Sequence, residues 1–187
     1  SSILILIIIC LVGCKKGSNE TTITGEIKGL GTDTLYLYGM DELYDRIDTI
    51  YVENDKFSYT TSVDTITSAY LLLKNRIEYP VFLDKGNKIK IKGDTINLNF
   101  LTISGNIYNE EFTDFQKALE DPADPSEKAG EETVDKRTTV EKANTAEEMA
   151  EEFILQHHSS YVSLYLLDKY FVQKETPDFS KIKKLVE

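Results

Sequence analysis

The pattern of apolar and polar residues from Thr21 onward has a period of two, which predicts short β-strands. Pairs and clusters of turn-forming residues, such as Asn54-Asp55 and Gly93-Asp94, separate the apolar runs. Gly29-Leu30-Gly31 is expected to join the first two strands as a hairpin. The predicted strands are Thr21–Lys28, Leu35–Tyr38, Arg46–Val52, Lys56–Thr61, Ser68–Lys74, Tyr79–Asp84, Lys88–Lys92 and Phe100–Ser104.

No helix of crossover length interrupts these strands, so a doubly wound α/β sheet is excluded. The pattern predicts a mainly β fold, an antiparallel β-sandwich of about eight strands over residues 21–105. Ala69–Leu73 lacks alternation, which predicts a strand covered on both faces.

An α-helical tail is predicted to follow the sandwich. Apolar residues at helical spacing predict a helix over residues 106–120, and their positions are Tyr108, Phe112, Phe115 and Leu119. Residues 121–152 hold eleven acids and four bases, and 121–146 is interpreted as an acidic linker. Residues 147–187 are interpreted as a truncated helical connector. Its helices are expected to be capped by the Thr145–Glu148 capping box, by Ser159-Ser160 and by Thr176, with Pro177 at the first helical position.

The first residues have the character of an export signal. Ile3–Val12 is an apolar run of ten residues, whereas a helix that spans a bilayer needs about 20. Leu11-Val12-Gly13-Cys14 resembles the lipobox of bacterial lipoproteins. By this resemblance residues 1–13 are a cleaved signal peptide whose start is missing, Cys14 carries the acyl chains, palmitate among them, and residues 14–20 form a tether. The alternative is a plain buried strand or a short core helix.

The charges beside Cys14 bear on where the protein is located, and the net charge of the whole chain bears on its partners. Bacteroidota lipoproteins that are exported to the cell surface often carry an acidic run after the lipidated cysteine, and Lys15-Lys16-Gly17-Ser18 is not acidic. The expected location is therefore the cell envelope, on the periplasmic face of the outer membrane. The net charge of −11 argues against nucleic acid as a partner. The expected partner is the membrane, through the lipid on Cys14, together with a protein partner or a second copy of the chain.

Candidate catalytic and metal-binding residues are scarce. Cys10 and Cys14 are the two cysteines, so residues 15–187 offer no disulfide, thiol nucleophile or cysteine-based zinc site. His157-His158 is an adjacent pair without patterned carboxylates or cysteines to complete a metal site. The sequence thus predicts no catalytic residue, no metal and no cofactor.

Four Asp-Thr-apolar tripeptides resemble the O-glycosylation acceptor motif of exported Bacteroidota proteins, with acceptors at Thr34, Thr49, Thr65 and Thr95. An equally good explanation is that Asp-Thr before a β-branched or apolar residue is a natural transition from loop to strand. Several tyrosines also fall on predicted strands, at positions 36, 38, 51, 59 and 70. They would suit a sugar-stacking face, although strand propensity alone explains them better.

Four segments in a fixed order resemble one particular β-domain, and they are Ile23–Leu30, Val52–Phe57, Gly86–Gly93 and Ile103–Phe112. It is the domain of unknown function that precedes thioredoxin-like (AhpC/TSA-type) thiol–disulfide domains in Bacteroidota lipoproteins, and the resemblance covers Thr21 to Leu119. Phe153–Ser163 resembles the helical connector of the same proteins, with His158 where a proline usually stands. The resemblance implies a non-catalytic accessory module of a thiol–disulfide oxidoreductase whose thioredoxin-like domain this chain lacks. The alternative is a stand-alone lipoprotein that binds a glycan or a peptide.

Overall fold

The computed structural model describes residues 19–40, 42–120 and 139–187. Two four-stranded sheets pack face to face, with the strand order β4-β1-β7-β8 in sheet A and β3-β2-β5-β6 in sheet B. The strands are β1 (Glu20–Lys28), β2 (Asp33–Gly39), β3 (Ile47–Val52), β4 (Lys56–Ser62), β5 (Thr67–Leu72), β6 (Glu78–Leu83), β7 (Lys88–Asp94) and β8 (Thr102–Ser104). The predicted sandwich of about eight strands with helices at its end is confirmed.

One pair of strands departs from the expected antiparallel pattern. β1 lies parallel to β7 in the centre of sheet A, with Ile23 beside Ile89. The other strand pairs are antiparallel. β7 follows two strands of sheet B, and the chain therefore returns to sheet A in the same direction as β1.

The predicted hairpin at Gly29-Leu30-Gly31 was wrong. β1 and β2 lie in different sheets, so this segment carries the chain across the sandwich. Leu30 is buried between the sheets, and Gly29 and Gly31 both have positive φ. The Gly31 amide donates to the Asp55 carboxylate over 2.6 Å, and the Asp55 amide donates to the Gly31 carbonyl over 2.9 Å. The glycines do form a turn, but this turn is hydrogen-bonded to the β3–β4 turn.

The predicted turn at Asn54-Asp55 is confirmed and closes one edge of the sandwich. Both residues have positive φ (51° and 69°), as a type I′ turn requires. After a single bridge between Glu53 and Lys56, β3 continues in sheet B and β4 in sheet A. The hairpin thus joins the two sheets at this edge.

The strand that is covered on both faces is β6, and not β5 as the sequence predicted. Tyr79–Leu83 are all buried, whereas Tyr70 and Leu72 on β5 are half-buried. β6 is an edge strand of sheet B, and its outward residue Phe82 packs against helices. Continuous burial therefore arises from a helical cover and not from a central position in the sheet.

Helix α1 (Ile107–Glu120) closes the opposite edge, between β6 and β8, and the predicted helix over 106–120 is confirmed. Phe112 and Phe115 of the predicted stripe are buried, while Tyr108 and Leu119 pack against the core. Asn109 satisfies the free edge of β6, because its side chain accepts from the Phe82 amide over 2.9 Å and donates to the Phe82 carbonyl over 2.8 Å.

Thr113 does the same for β8, one turn further along α1. Its hydroxyl accepts from the Ile103 amide and donates to the Ile103 carbonyl, each over 3.0 Å. Two polar side chains of one helix thus pair with the edge strands of both sheets.

The tail consists of α2 (Thr139–Gln156), α3 (Tyr161–Leu167), a π-helical turn (Asp168–Val172) and α4 (Phe179–Val186). Ser160 caps α3 as predicted, since its hydroxyl accepts from the Val162 amide. α2 already begins at Thr139, so the prediction that Thr145 caps this helix was wrong. α4 is capped by Asp178 and not by Thr176, and Pro177 precedes the helix. No helix in the described ranges is both long and apolar enough to cross a bilayer.

An aromatic cluster fixes the tail on the sandwich. The Tyr165 ring lies 5.3 Å from Phe112 and 6.2 Å from Phe82, both in edge-to-face geometry. Phe153 of α2 packs against Phe115 at 5.9 Å. Sandwich, α1 and tail therefore share one hydrophobic core.

Candidate functional site

The predicted modification sites are dispersed over the molecule. Cys14, the signal peptide and most of the acidic linker lie outside the described residues. Thr49 and Thr65 are exposed, on β3 and in the β4–β5 turn, whereas Thr34 and Thr95 are half-buried. Glycan addition stays a prediction, and exposure favours Thr49 and Thr65. Intact-mass analysis of protein from its native host tests it, because a mass of polypeptide plus lipid alone would exclude glycans.

The two histidines lie in the turn between α2 and α3. The His157 ring stacks on Phe153 at 4.2 Å, and its Nδ1 lies 3.1 Å from the Phe153 carbonyl oxygen, while His158 is exposed. Within the described ranges no group of three or more His, Cys, Asp or Glu side chains is placed to hold a metal ion.

The outward side of sheet B is a candidate binding surface, which we name the aromatic face. It is formed by outward-pointing side chains of β2, β3 and β5, namely Tyr36, Tyr38, Ile47, Tyr51, Tyr70 and Leu72. Ile47 and Tyr51 are each 73% exposed and Tyr36 is 41% exposed. Four of the five tyrosines predicted for strands share this face, whereas Tyr59 lies on β4 in the other sheet.

Part of the aromatic face is held in place by its own contacts. The Tyr38 and Tyr70 rings lie 5.7 Å apart, and the Tyr38 hydroxyl donates to Glu78. Burial and the contact with Glu78 raise the pKa of Tyr38, and burial raises the pKa of Tyr70. Both phenols, like a tyrosine with the ordinary pKa of 10.0, are neutral hydrogen-bonding groups at physiological pH.

A polar cluster at the β3–β4 edge was not predicted from the sequence. The Tyr44 hydroxyl donates to Asp48, and Arg46 Nε lies 3.1 Å from the same carboxylate. Arg46 also donates to Thr61 and to the Ser62 carbonyl of sheet A. Because Arg46 pairs with Asp48 and also donates to Thr61 and Ser62 on β4, the arrangement is that of a structural link between the two sheets. Burial, followed by the bond to Asp48, raises the pKa of Tyr44 to about 12.

Sheet A presents an outward surface of opposite chemistry, which we name the lysine face. Its side chains are five lysines, three acids and seven hydroxyls: Lys28, Lys56, Lys88, Lys90 and Lys92; Glu20, Glu26 and Asp94; Thr22, Thr24, Ser58, Thr60, Ser62, Thr102 and Ser104. At one end, Glu26, Lys28, Lys92 and Asp94 line a cleft of about 530 Å³.

Residues 21–112 match the family model of DUF4369, a domain of unknown function. The DUF4369 region runs from the second residue of β1 to Phe112 on α1, so it includes Asn109 and the edge-pairing start of that helix. No curated protein and no solved structure matches the chain. The predicted domain of unknown function is thereby confirmed, whereas its association with thioredoxin-like domains stays a prediction.

Proposed function

We propose that this protein is a lipid-anchored, periplasm-facing lipoprotein module without catalytic residues, accessory to a thioredoxin-like thiol–disulfide domain. The observation that carries this proposal is the docking of the helical tail on the DUF4369 region. The Tyr165 ring on α3 packs edge-to-face against both Phe82 and Phe112, which also contact each other. A domain that follows such a tail would be held in a defined orientation, and not on a flexible linker.

Contacts between the helices extend this docking from α3 to α4. Lys181 on α4 lies 2.7 Å from Glu151 and 3.6 Å from Glu147, both on α2. Leu185 is buried, and the Lys181 ammonium lies 5.1 Å above the Phe171 ring of the π-helical turn. The three helices therefore form one continuous support.

The proposal assigns all thiol chemistry to another domain, because residues 15–187 contain no cysteine. Two measurements test this. Reduction of insulin by this chain alone should not exceed background, and any clear activity would contradict the proposal. The coding sequence beyond Glu187 should contain a Cys-x-x-Cys motif, whereas a stop codon at that position would exclude the accessory role.

The anchor is tested by metabolic labelling with a palmitate analogue in a bacterial host. Cys14→Ser should abolish labelling and release the protein from the membrane fraction, because the acyl chains attach to this thiol. Cys10→Ser is the matched control and should leave labelling unchanged, since Cys10 lies in the segment that is removed. Equal labelling of both variants would exclude Cys14 as the anchor.

The alternative function is a stand-alone lipoprotein that binds a glycan or a peptide, and the exposed aromatic face favours it. Planar rings that are accessible on the outward side of a sheet suit stacking on sugar rings or on apolar side chains. Paired Tyr36→Ser and Tyr51→Ser substitutions should then abolish binding to a glycan or peptide array. Ile96→Ser is the control, because Ile96 is 93% exposed and lies outside the face. Unchanged binding by the tyrosine variant would exclude this surface.

A further inference from the structure

The lysine face differs in charge from the rest of this acidic protein. The chain carries a net charge of −11, yet the outward positions of sheet A hold five lysines and three acids. Such a local reversal of charge concentrates a positive potential on one side of the molecule.

The strand register gathers the positive charge in a stripe along β7. Lys88, Lys90 and Lys92 alternate with buried Ile89 and Ile91, so the three ammonium groups lie on one side of the strand and are exposed. The stripe is about 13 Å long at about 3.3 Å per residue.

Hydroxyl groups, and not carboxylates, flank the first two lysines. Lys88 lies beside Thr22, and Lys90 lies between Thr24 and Ser104. Among the described residues, no ion pair involves any of the three lysines of the stripe. The charges of Lys88 and Lys90 therefore have no acidic neighbour in the sheet register, whereas Lys92 lies beside Glu26.

The chemistry of the surface favours a headgroup layer over the core of a protein interface. None of its outward side chains is a large apolar residue. Protein interfaces have cores rich in aromatic residues and depleted in lysine. An anionic lipid surface instead attracts clustered lysines and accepts hydrogen bonds from hydroxyl groups at its phosphates.

The position of the proposed anchor brings this face to the membrane. From Cys14 to Asn19 there are five residue steps, which span at most about 18 Å when fully extended. Lys88 pairs with Thr22, three residues beyond Asn19, so the stripe begins close to the point where the tether joins the fold.

We propose that the lysine face of sheet A lies against the anionic headgroups of the membrane, and thereby orients the aromatic face away from the bilayer. This proposal rests on the lipid anchor of the proposed function. In this orientation sheet B and its exposed tyrosines point toward the periplasm, where a partner or ligand reaches them.

The test uses full-length lipidated protein in vesicles of phosphatidylcholine, with or without phosphatidylglycerol. Amine-reactive labelling of each lysine is read by mass spectrometry. Labelling of Lys88, Lys90 and Lys92 should fall several-fold when phosphatidylglycerol is present, while that of Lys183 and Lys184 on α4 stays constant. Salt should reverse the protection.

Two variants show whether the charge of the lysine face is responsible for the protection from labelling. Replacing Lys88, Lys90 and Lys92 together by Gln should abolish the effect of phosphatidylglycerol on labelling of Lys28 and Lys56. Replacing Lys117, Lys183 and Lys184 together by Gln removes the same charge elsewhere and should leave that effect unchanged. All five lysines of the face equally labelled in both vesicles would contradict the proposal.

The failures of the two proposals are distinguishable. If the protein does not float with phosphatidylcholine vesicles, the lipid anchor is wrong. If it floats but the lysines stay accessible, only the orientation is wrong. Protection by a soluble acidic polysaccharide but not by phosphatidylglycerol would assign the face to a polymer and overturn the membrane proposal.

Discussion

At the scale of single residues, the hydroxyl of Thr113 is the most informative group on α1. It is buried and pairs with both backbone groups of Ile103 on the free edge of β8. Thr113→Val keeps the shape but leaves a buried amide and a carbonyl unpaired, which should cost about 2–3 kcal/mol in the free energy of unfolding. Chemical denaturation measures this. Thr102→Val, at an exposed position of β8, should change stability by less than about 0.5 kcal/mol. Equal losses in both variants would refute the edge-pairing role.

Tyr44 gives a prediction for alkaline pH. Its pKa is raised from the ordinary value of 10.0 to about 12, so the folded state favours the neutral phenol. The stabilisation it brings is complete below pH 10 and is lost as the pH rises to about 12. Stability measured across this range should fall, and Tyr44→Phe should flatten the fall, with tyrosinate absorbance as the readout. Tyr51→Phe, at an exposed position, is the control. An unchanged fall in Tyr44→Phe would assign the alkaline loss to other groups.

The sequence showed the apolar stripe of α1 but not the polar contacts of that helix. Phe112 and Phe115 were predicted as its buried face because apolar spacing alone reveals them. Asn109 and Thr113 are spaced by one turn and are also buried, yet polar residues at this spacing are usual on a solvated face. Their role depends on strand edges from β6 and β8, which lie elsewhere in the chain. Residue chemistry that depends on distant backbone is not visible in a local pattern.

At the scale of elements, the sequence likewise predicted where the strands lie along the chain but not which strands pair with each other. Alternation, together with short apolar runs between turn residues, predicted where the strands lie along the chain. It did not predict that β1 pairs with β7 or that Gly29-Leu30-Gly31 crosses to the other sheet. A glycine turn satisfies the backbone equally well in a hairpin and in a crossover, and burial of Leu30 favours the crossover here.

The docking of α3 can be tested on two neighbouring residues. Tyr165 is buried against Phe82 and Phe112, whereas Leu164 is 60% exposed. Tyr165→Ala should destabilise the protein by about 3 kcal/mol, because it removes a buried ring from the cluster. Leu164→Ala should have little effect. Because the tail and the sandwich share one core, hydrogen exchange should show a loss of protection in α3 and α4 and in β1 and β7 alike. A loss confined to α3 and α4 would mean that the tail unfolds separately from the sandwich.

At the scale of the whole molecule, the two sheets give the protein two different surfaces. Sheet A presents lysines and hydroxyls, and sheet B presents tyrosines and Ile47. The helices cover β6 at the edge of sheet B and leave Tyr36 and Tyr51 accessible. The same strand period that predicted the fold also predicted these outward residues, but only the sheet order shows that they form two faces.

The shared hydrophobic core predicts a single cooperative unfolding transition. One cluster of buried residues extends from Ile23 in sheet A, through Phe112 on α1, to Leu185 on α4. Helical signal in far-UV circular dichroism and tyrosine signal in the near-UV should therefore change at the same denaturant concentration. An earlier helical transition would show instead that the tail is a separate folding unit.

Lys181→Met removes the ion pairs to Glu147 and Glu151, which are only partly shielded from water, and should shift both signals together and slightly. Because apolar packing outweighs such pairs, coincidence of the two signals should survive that substitution.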